Sequence, residues 1–159
     1  MGPVIESIEL LRDLPSSKVD IGNTKARIRM TVLYRIAEVY DVLVAGVSNA
    51  AELTLGMMTK YGDGAGDVQP LAGITKGIVY EMAKILNAPQ SIIDKLSTTG
   101  VWDNGTNQKI VTELNHQVCI YLRGGDIEEA NEEKILKLYE VSKHKRHLPV
   151  SIKDTWWIK

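Results

Sequence analysis

The sequence predicts an α/β fold, on two observations. Asp41-Val42-Leu43-Val44-Ala45-Gly46 is a nearly continuous apolar run, the mark of a strand covered on both faces in a parallel sheet. Amphipathic helical patterns precede and follow it, and helix, strand, turn, helix is the alternation of α/β proteins. With 159 residues, 44% hydrophobic and 25% charged, the chain suits one soluble domain over 1–159. It shows no internal repeat, low-complexity tract or internal boundary.

Taken in order, Val4, Ile5, Ile8 and Leu11 mark a short amphipathic helix that Pro15 helps to end. Ser16 to Asn23 is polar with Gly22 and reads as a connection. From Thr24 the stripe Ala26, Met30, Leu33, Ala37 and Tyr40, flanked by Ile28, Val32 and Ile36, predicts a helix buried on much of its surface. Arg27 and Arg29 fall near its predicted start, where the helix dipole disfavours cations, which points to an anion arriving from outside.

Beyond the strand, Asn49 with Glu52 three residues later fits a reciprocal helix cap. A carboxylate just past the C-terminal end of a parallel strand is also where α/β proteins place ligands and metals, so both readings of Glu52 stand. The stretch Thr59-Lys60-Tyr61-Gly62-Asp63-Gly64-Ala65-Gly66-Asp67 has three glycines in five residues, with Lys60, Asp63 and Asp67 among them. It reads either as a loop holding a polar ligand or as a solvated turn.

Val68 to Leu71 is a short extended piece, and Thr75 is placed to cap a helix running to Asn87, with Lys76 at its start. Ile78, Met82, Ile85 and Leu86 form the face predicted to point inward. A short helix follows from Ser91 to Leu96, and Ser97 to Asn107 is a long polar loop of the kind that carries function. Ile110, Val111, Leu114, Val118 and Leu122 line a further helix stopped by Gly124-Gly125. Asp126 is placed to cap the last helix, striped by Ile127, Ala130, Ile135, Leu138 and Val141 and ending in the basic run Lys143 to His147. Paired Trp156-Trp157 suggest a tail that docks.

Composition excludes several classes. A net charge of -1 gives no global field for nucleic acid or an anionic membrane, and no aromatic platform accompanies the basic run. The longest apolar run, Val42 to Val47, is too short to span a bilayer, and the first twenty residues carry no secretion pattern. Cys119 is the only cysteine, which fits a packing residue in a reducing compartment. A cytoplasmic protein is expected.

Several blocks together carry a more specific likeness. Lys25-Ala26-Arg27-Ile28-Arg29-Met30, Asn49-Ala50-Ala51-Glu52, Thr59-Lys60-Tyr61-Gly62-Asp63-Gly64 and Leu71-Ala72-Gly73-Ile74-Thr75-Lys76 resemble successive motifs of the ammonia-dependent NAD synthetases. His144-Lys145-Arg146 and Asp154-Thr155-Trp156-Trp157 continue the match, which holds its order from near Gly22 to the end. The resemblance implies a Rossmann-like fold of the adenine-nucleotide α-hydrolase type with a helix-rich C-terminal half, usually a homodimer. It implies ATP and Mg2+, with nicotinic acid adenine dinucleotide (deamido-NAD) and ammonia as substrates, the pyridine carboxylate being adenylylated before ammonia displaces AMP.

Residue by residue, the resemblance puts Arg27, Lys60, Asp67, His144 and Lys145 at deamido-NAD. It puts Lys76 and Thr98 at ATP, with Val47 where the family has a threonine, and Glu52 at Mg2+. The family's N-terminal portion, with its Ser-Gly-Gly-x-Asp-Ser loop for ATP, has no counterpart here, so the chain reads as a C-terminal portion of the fold. Val47 lacks the threonine hydroxyl, and Thr106-Asn107-Gln108 replaces the family's Thr-Asp-Glu. These departures lead to the expectation that the chain works as part of a complete enzyme, with a separate N-terminal half as one route to completeness. The alternative is a non-catalytic dinucleotide-binding or dimer-partner relative.

Overall fold

The computed structural model describes residues 17–95 and 105–155, with side-chain burial in the second stretch described from residue 113 onward. Six α-helices are described: α1 (Lys18–Tyr40), α2 (Ala50–Leu55), α3 (Lys76–Ile85), α4 (Gln90–Ile93), α5 (Gly105–Tyr121) and α6 (Glu129–Val141). A single 3-10 turn, Lys143–Lys145, follows. The predicted Val4–Leu14 helix, the loop up to residue 104 and Trp156-Trp157 lie outside the described residues.

The core forms where α2, α5 and α6 meet. Ala51 and Leu55 pack with Leu114, Val118 and Ile135, and Met57, Cys119, Ile127 and Leu138 close around them. Val118 and Ile135 are the large side chains sealed completely. Cys119 packs against this cluster, as expected of a small apolar residue.

Four expectations are corrected. First, α1 starts at Lys18, because Ser17 and Asp20 form a capping box: the Ser17 amide donates to Asp20 Oδ2 at 2.8 Å and the Asp20 amide to Ser17 Oγ at 3.2 Å. Residues 18–23 are therefore helical, not a connection. Arg27 and Arg29 then sit in mid-helix, beyond the reach of the N-terminal dipole, and that argument for an anion falls. Only Ala26 and Ala37 of α1 are buried, whereas Leu33, Ile36 and Tyr40 of the predicted inward faces are exposed.

Second, the Asp41–Gly46 strand is reduced to one parallel bridge, Ala45 to Val68. Leu43 is 69% exposed and Val42 57%, because only one edge of the segment finds a neighbour among the described residues. Third, α3 has no buried residue, so the Ile78, Met82, Ile85 and Leu86 face meets solvent. Fourth, the N-cap of α6 is Glu128, not Asp126, and α5 begins at Gly105, so Thr106 and Asn107 are helical rather than loop.

Candidate anion-binding site

The glycine loop wraps the first half of α1. A side chain at Gly62 would bring a Cβ to 3.0 Å from that of Ala26 and from Thr59, so glycine lets loop and helix close together. At Gly66 a Cβ would come 2.8 Å from the Gly46 amide nitrogen, which fixes the loop's other end against the strand segment. Both glycines serve backbone approach inside the fold. The loop is neither a slack turn nor fully solvated.

Polar contacts then fix the loop. Thr59 Oγ1 lies 2.6 Å from Asn23 Oδ1, the Thr59 amide donates to Asp63 Oδ1 at 2.8 Å, and Arg27 Nε donates to the Lys60 carbonyl at 3.3 Å. Tyr61 takes φ +62, a left-handed conformation uncommon for a non-glycine residue, and its ring stands 5.2 Å below the Lys60 ammonium.

The chain's far end closes over this loop. Lys60 Nζ donates to the His144 carbonyl across 84 residues of sequence. Lys145 Nζ donates to the carbonyls of Gly56 at 2.8 Å and Met58 at 2.9 Å. Arg146 donates to the Leu53 carbonyl, to Ser142 Oγ and to the Tyr139 carbonyl, its guanidinium 4.0 Å over the Tyr139 ring.

All these acceptors are neutral. Among the described residues no carboxylate lies within ion-pair distance of Arg27, Lys60, Lys145 or Arg146, and the ion pairs there are i,i+3 pairs at the surface. The cluster therefore keeps its positive charge. Burial and the neighbouring Lys60, Lys145 and Arg146 cations hold the His144 imidazole below its usual value. Burial and Arg146 hold the Lys145 ammonium below its own, against the opposing pull of Asp63.

The remaining sequence-predicted residues lie apart from this cluster. Asp67 bonds into the fold: Oδ2 accepts from the Val44 amide at 2.8 Å and Oδ1 from the Tyr34 hydroxyl at 3.4 Å. Desolvation and the Asp67 charge raise the Tyr34 phenol above its usual value. Val47 is 71% exposed just beyond the strand segment. Lys76 opens α3, and Thr98 lies outside the described residues.

Glu52 is half-buried and completes the predicted cap, Oε2 accepting from the Asn49 amide at 3.0 Å while the Glu52 amide donates to Asn49 Oδ1. No cluster of three or more His, Cys, Asp or Glu is present among the described residues. A single carboxylate still fits Mg2+, which keeps waters and takes one or two carboxylates beside substrate phosphates. Thr75 takes the N-cap position of α3, but its hydroxyl accepts from Arg123 Nη2 at 3.0 Å instead of capping. That contact lies beside an open cleft of about 410 Å³ that Arg123, Thr75, Leu53, Ile78, Tyr139 and Arg146 help to line.

Sequence reasoning did not assign Tyr34 or Arg146 to the site. Tyr34 stands seven residues after Arg27, on the same helix face, and that spacing was the available signal. Arg146 joins through side-chain reach, for which no spacing rule exists.

The loop and basic turn thus bring Arg27, Lys60, Lys145 and Arg146 into one cationic cluster. Comparison with known proteins narrows this. The NAD synthase family model matches residues 3–149. The chain is 39% identical to the NH(3)-dependent NAD(+) synthetase of Malacoplasma penetrans over 142 residues, 89% of this chain and 58% of that protein. To the enzyme of the same name from Thermoplasma volcanium it is 42% identical, over 83% of this chain and 57% of the relative.

Among solved structures, the NMN synthetase of Francisella tularensis superposes with a TM-score of 0.84 at 32% identity, over 96% of this chain and 64% of that one. The NH3-dependent NAD synthetase of Campylobacter jejuni gives 0.71 at 26% identity, over 96% and 62%. The chain belongs to the NAD synthase family and shares the fold of these synthetases. It spans somewhat less than 60% of the length of the sequence relatives named here.

Proposed function

We propose that this chain serves NAD biosynthesis, as part of a complete enzyme that amidates deamido-NAD to NAD with ammonia at the expense of ATP. The observation that carries the reading is the Arg27–Lys60–His144 connection, with Lys145 and Arg146 beside it. Deamido-NAD carries a pyrophosphate and a carboxylate, and a cation cluster whose hydrogen bonds go to neutral acceptors suits both. Family membership and the block-by-block likeness to ammonia-dependent synthetases support the same assignment.

In this reading Arg27, Lys60, Asp67, His144 and Lys145 hold deamido-NAD. Lys76, Thr98 and the Val47 backbone face ATP, and Glu52 supplies a carboxylate to Mg2+. The pyridine carboxylate oxygen attacks the α-phosphorus of ATP and pyrophosphate departs. Ammonia nitrogen then attacks the acyl carbon, AMP leaves, and the surplus proton passes to solvent. The chain's own residues orient the carboxylate and offset charge on the phosphates. Mg2+, when bound, would neutralise the pyrophosphate as it leaves.

The fold we infer is Rossmann-like, of the adenine-nucleotide α-hydrolase type, this chain forming a single unit of its C-terminal portion. A homodimer in the cytoplasm is its proposed setting. Among the described residues no helix is long and apolar enough to cross a membrane.

Titration calorimetry with deamido-NAD tests the site. Lys60→Ala is expected to weaken binding at least about tenfold, or roughly 1.4 kcal/mol. Unchanged affinity would remove the loop from the site. A second reading, amidation of the mononucleotide, draws on the NMN synthetase superposition. Competition between nicotinic acid mononucleotide and deamido-NAD for the same chain decides between them.

A further inference from the structure

Arg123, just beyond the end of α5, is in no ion pair among the described residues. Its guanidinium lies over the first turn of α3: Nη2 donates to Thr75 Oγ1 at 3.0 Å, and a Cβ at Gly77 would meet Nη2 at 3.8 Å. That is the helix end whose dipole disfavours a cation, and the first turn of α3 holds no acid and begins with Lys76. Neither an ion pair nor the helix accounts for a positive charge at this place.

Arg123 instead lines the cleft of about 410 Å³ where α2, the start of α3, the residues after α5 and the end of α6 meet. Leu53, Ile78, Leu122 and Tyr139 give the cleft apolar walls, and Ile78 and Leu122 face solvent at 44% and 45% exposure. Gly73 adds room, since a Cβ there would touch nothing within 4 Å. Thr75 is buried at 6% exposure, and its hydroxyl accepts from Arg123 while its own proton has no acceptor among the described residues. The cleft therefore holds a guanidinium, a hydroxyl donor beside it and apolar surface around both.

The donors decide the chemistry of a ligand. Thr75 takes a single N–H of a planar fork that matches a carboxylate two bonds at a time. Arg146 also lines the cleft, but it is bonded to the Leu53 and Tyr139 carbonyls and stacked on the Tyr139 ring. It adds positive potential and leaves the bidentate contact to Arg123. One available fork among apolar walls suits a carboxylate on a carbon body better than a phosphate, which calls for several cations.

We propose that this cleft binds a small organic acid, its carboxylate on Arg123 and the Thr75 hydroxyl, its apolar body against Leu53, Ile78, Leu122 and Tyr139. The site is separate from the one proposed above. None of the described residues assigned to deamido-NAD, ATP or Mg2+ lines the cleft.

The experiment is an NMR titration of the full chain, without nucleotide, using isocaproate as the probe. Saturable shifts are expected at the amides of Thr75, Gly77, Leu122 and Arg123. Isocaproamide, which has the body without the charge, is expected to bind at least about tenfold more weakly. Acetate, which has the charge without the body, is also expected to bind at least about tenfold more weakly. Arg123→Ala is expected to weaken isocaproate at least about tenfold, and Arg123→Lys, a cation without the fork, to recover only part of the affinity. Ile78→Glu, at an exposed position, sets a carboxylate in the cleft and is expected to abolish binding with the circular dichroism spectrum unchanged.

Absence of saturable shifts overturns the proposal, as does equal affinity for isocaproate and its amide or undiminished affinity in Arg123→Ala. Shifts centred on Gly62 and Lys145, lost in Lys60→Ala, would assign the acid to the other cation cluster and overturn it as well. Should Arg123→Ala fail to fold, Thr75→Val carries the test: it removes only the hydroxyl, and a several-fold loss of affinity is expected. The readout is binding in the absence of nucleotide, so its outcome does not depend on whether deamido-NAD is amidated.

Discussion

Two apolar regions of this molecule have opposite fates. Around Ile135, residues from α2, α5 and α6 close a core that excludes water. Around Leu43, an apolar run stands largely in solvent, as does much of α1, and α3 has no buried residue. The difference is partnership: α2, α5 and α6 find one another within this chain, whereas among the described residues the strand segment finds a neighbour on one edge only. An apolar pattern states that a surface is to be covered, and does not say by what.

The sharpest way to break the comparison is to truncate each region in turn. Ile135→Ala is expected to cost roughly 2–5 kcal/mol in urea unfolding, through lost transfer energy and a cavity in a sealed core. A cost below about 1 kcal/mol would mean that the three-helix cluster does not hold the fold together.

Lys145→Met probes the joint between core and site. It strands the Gly56 and Met58 carbonyls that the ammonium satisfies, and about 1–3 kcal/mol of stability is expected to go with it. An unaltered unfolding midpoint would show that water replaces the ammonium at no cost.

His144 sharpens the electrostatic side. Its folded-state value lies below the ordinary 6.5, so between the two values the unfolded chain binds more protons than the folded one. Its contribution to stability is therefore complete above pH 6.5 and falls as the pH drops below it. An anion seated among Lys60, Lys145 and Arg146 reverses the main Coulombic cause, so binding of deamido-NAD should take up a fraction of a proton. Calorimetry in buffers of different ionisation enthalpy measures this, and zero uptake near pH 6 would separate His144 from the bound anion.

Leu43→Gln carries the smallest expected effect, within about 0.5 kcal/mol for the chain alone, because the side chain is already wet. A larger loss would mean that a partner covers Leu43 in solution.

Much of the local structure was legible in sequence. The Asn49–Glu52 cap and the lining of α5 and α6 by Leu114, Val118, Ile135 and Leu138 follow from spacing, because caps and helical stripes are properties of a few consecutive turns. The start of α1 was missed although Ser17 and Asp20 carry the cap pattern, since Gly22 and the polar residues after it weighed toward a connection. The block order of the motifs carried the family, which the family match bears out.

Tertiary structure alone decided three things. It placed Lys60 on the His144 carbonyl, an encounter that no local rule contains because 84 residues separate the two. It gave Gly62 and Gly66 to backbone approach within the fold, which only the positions of Ala26 and Gly46 reveal. And, among the described residues, it gave the Val42–Val47 run a neighbour on one edge only. Hydrophobicity is a property of a side chain and is written in the sequence, whereas burial belongs to pairs of surfaces and exists only once both are in place.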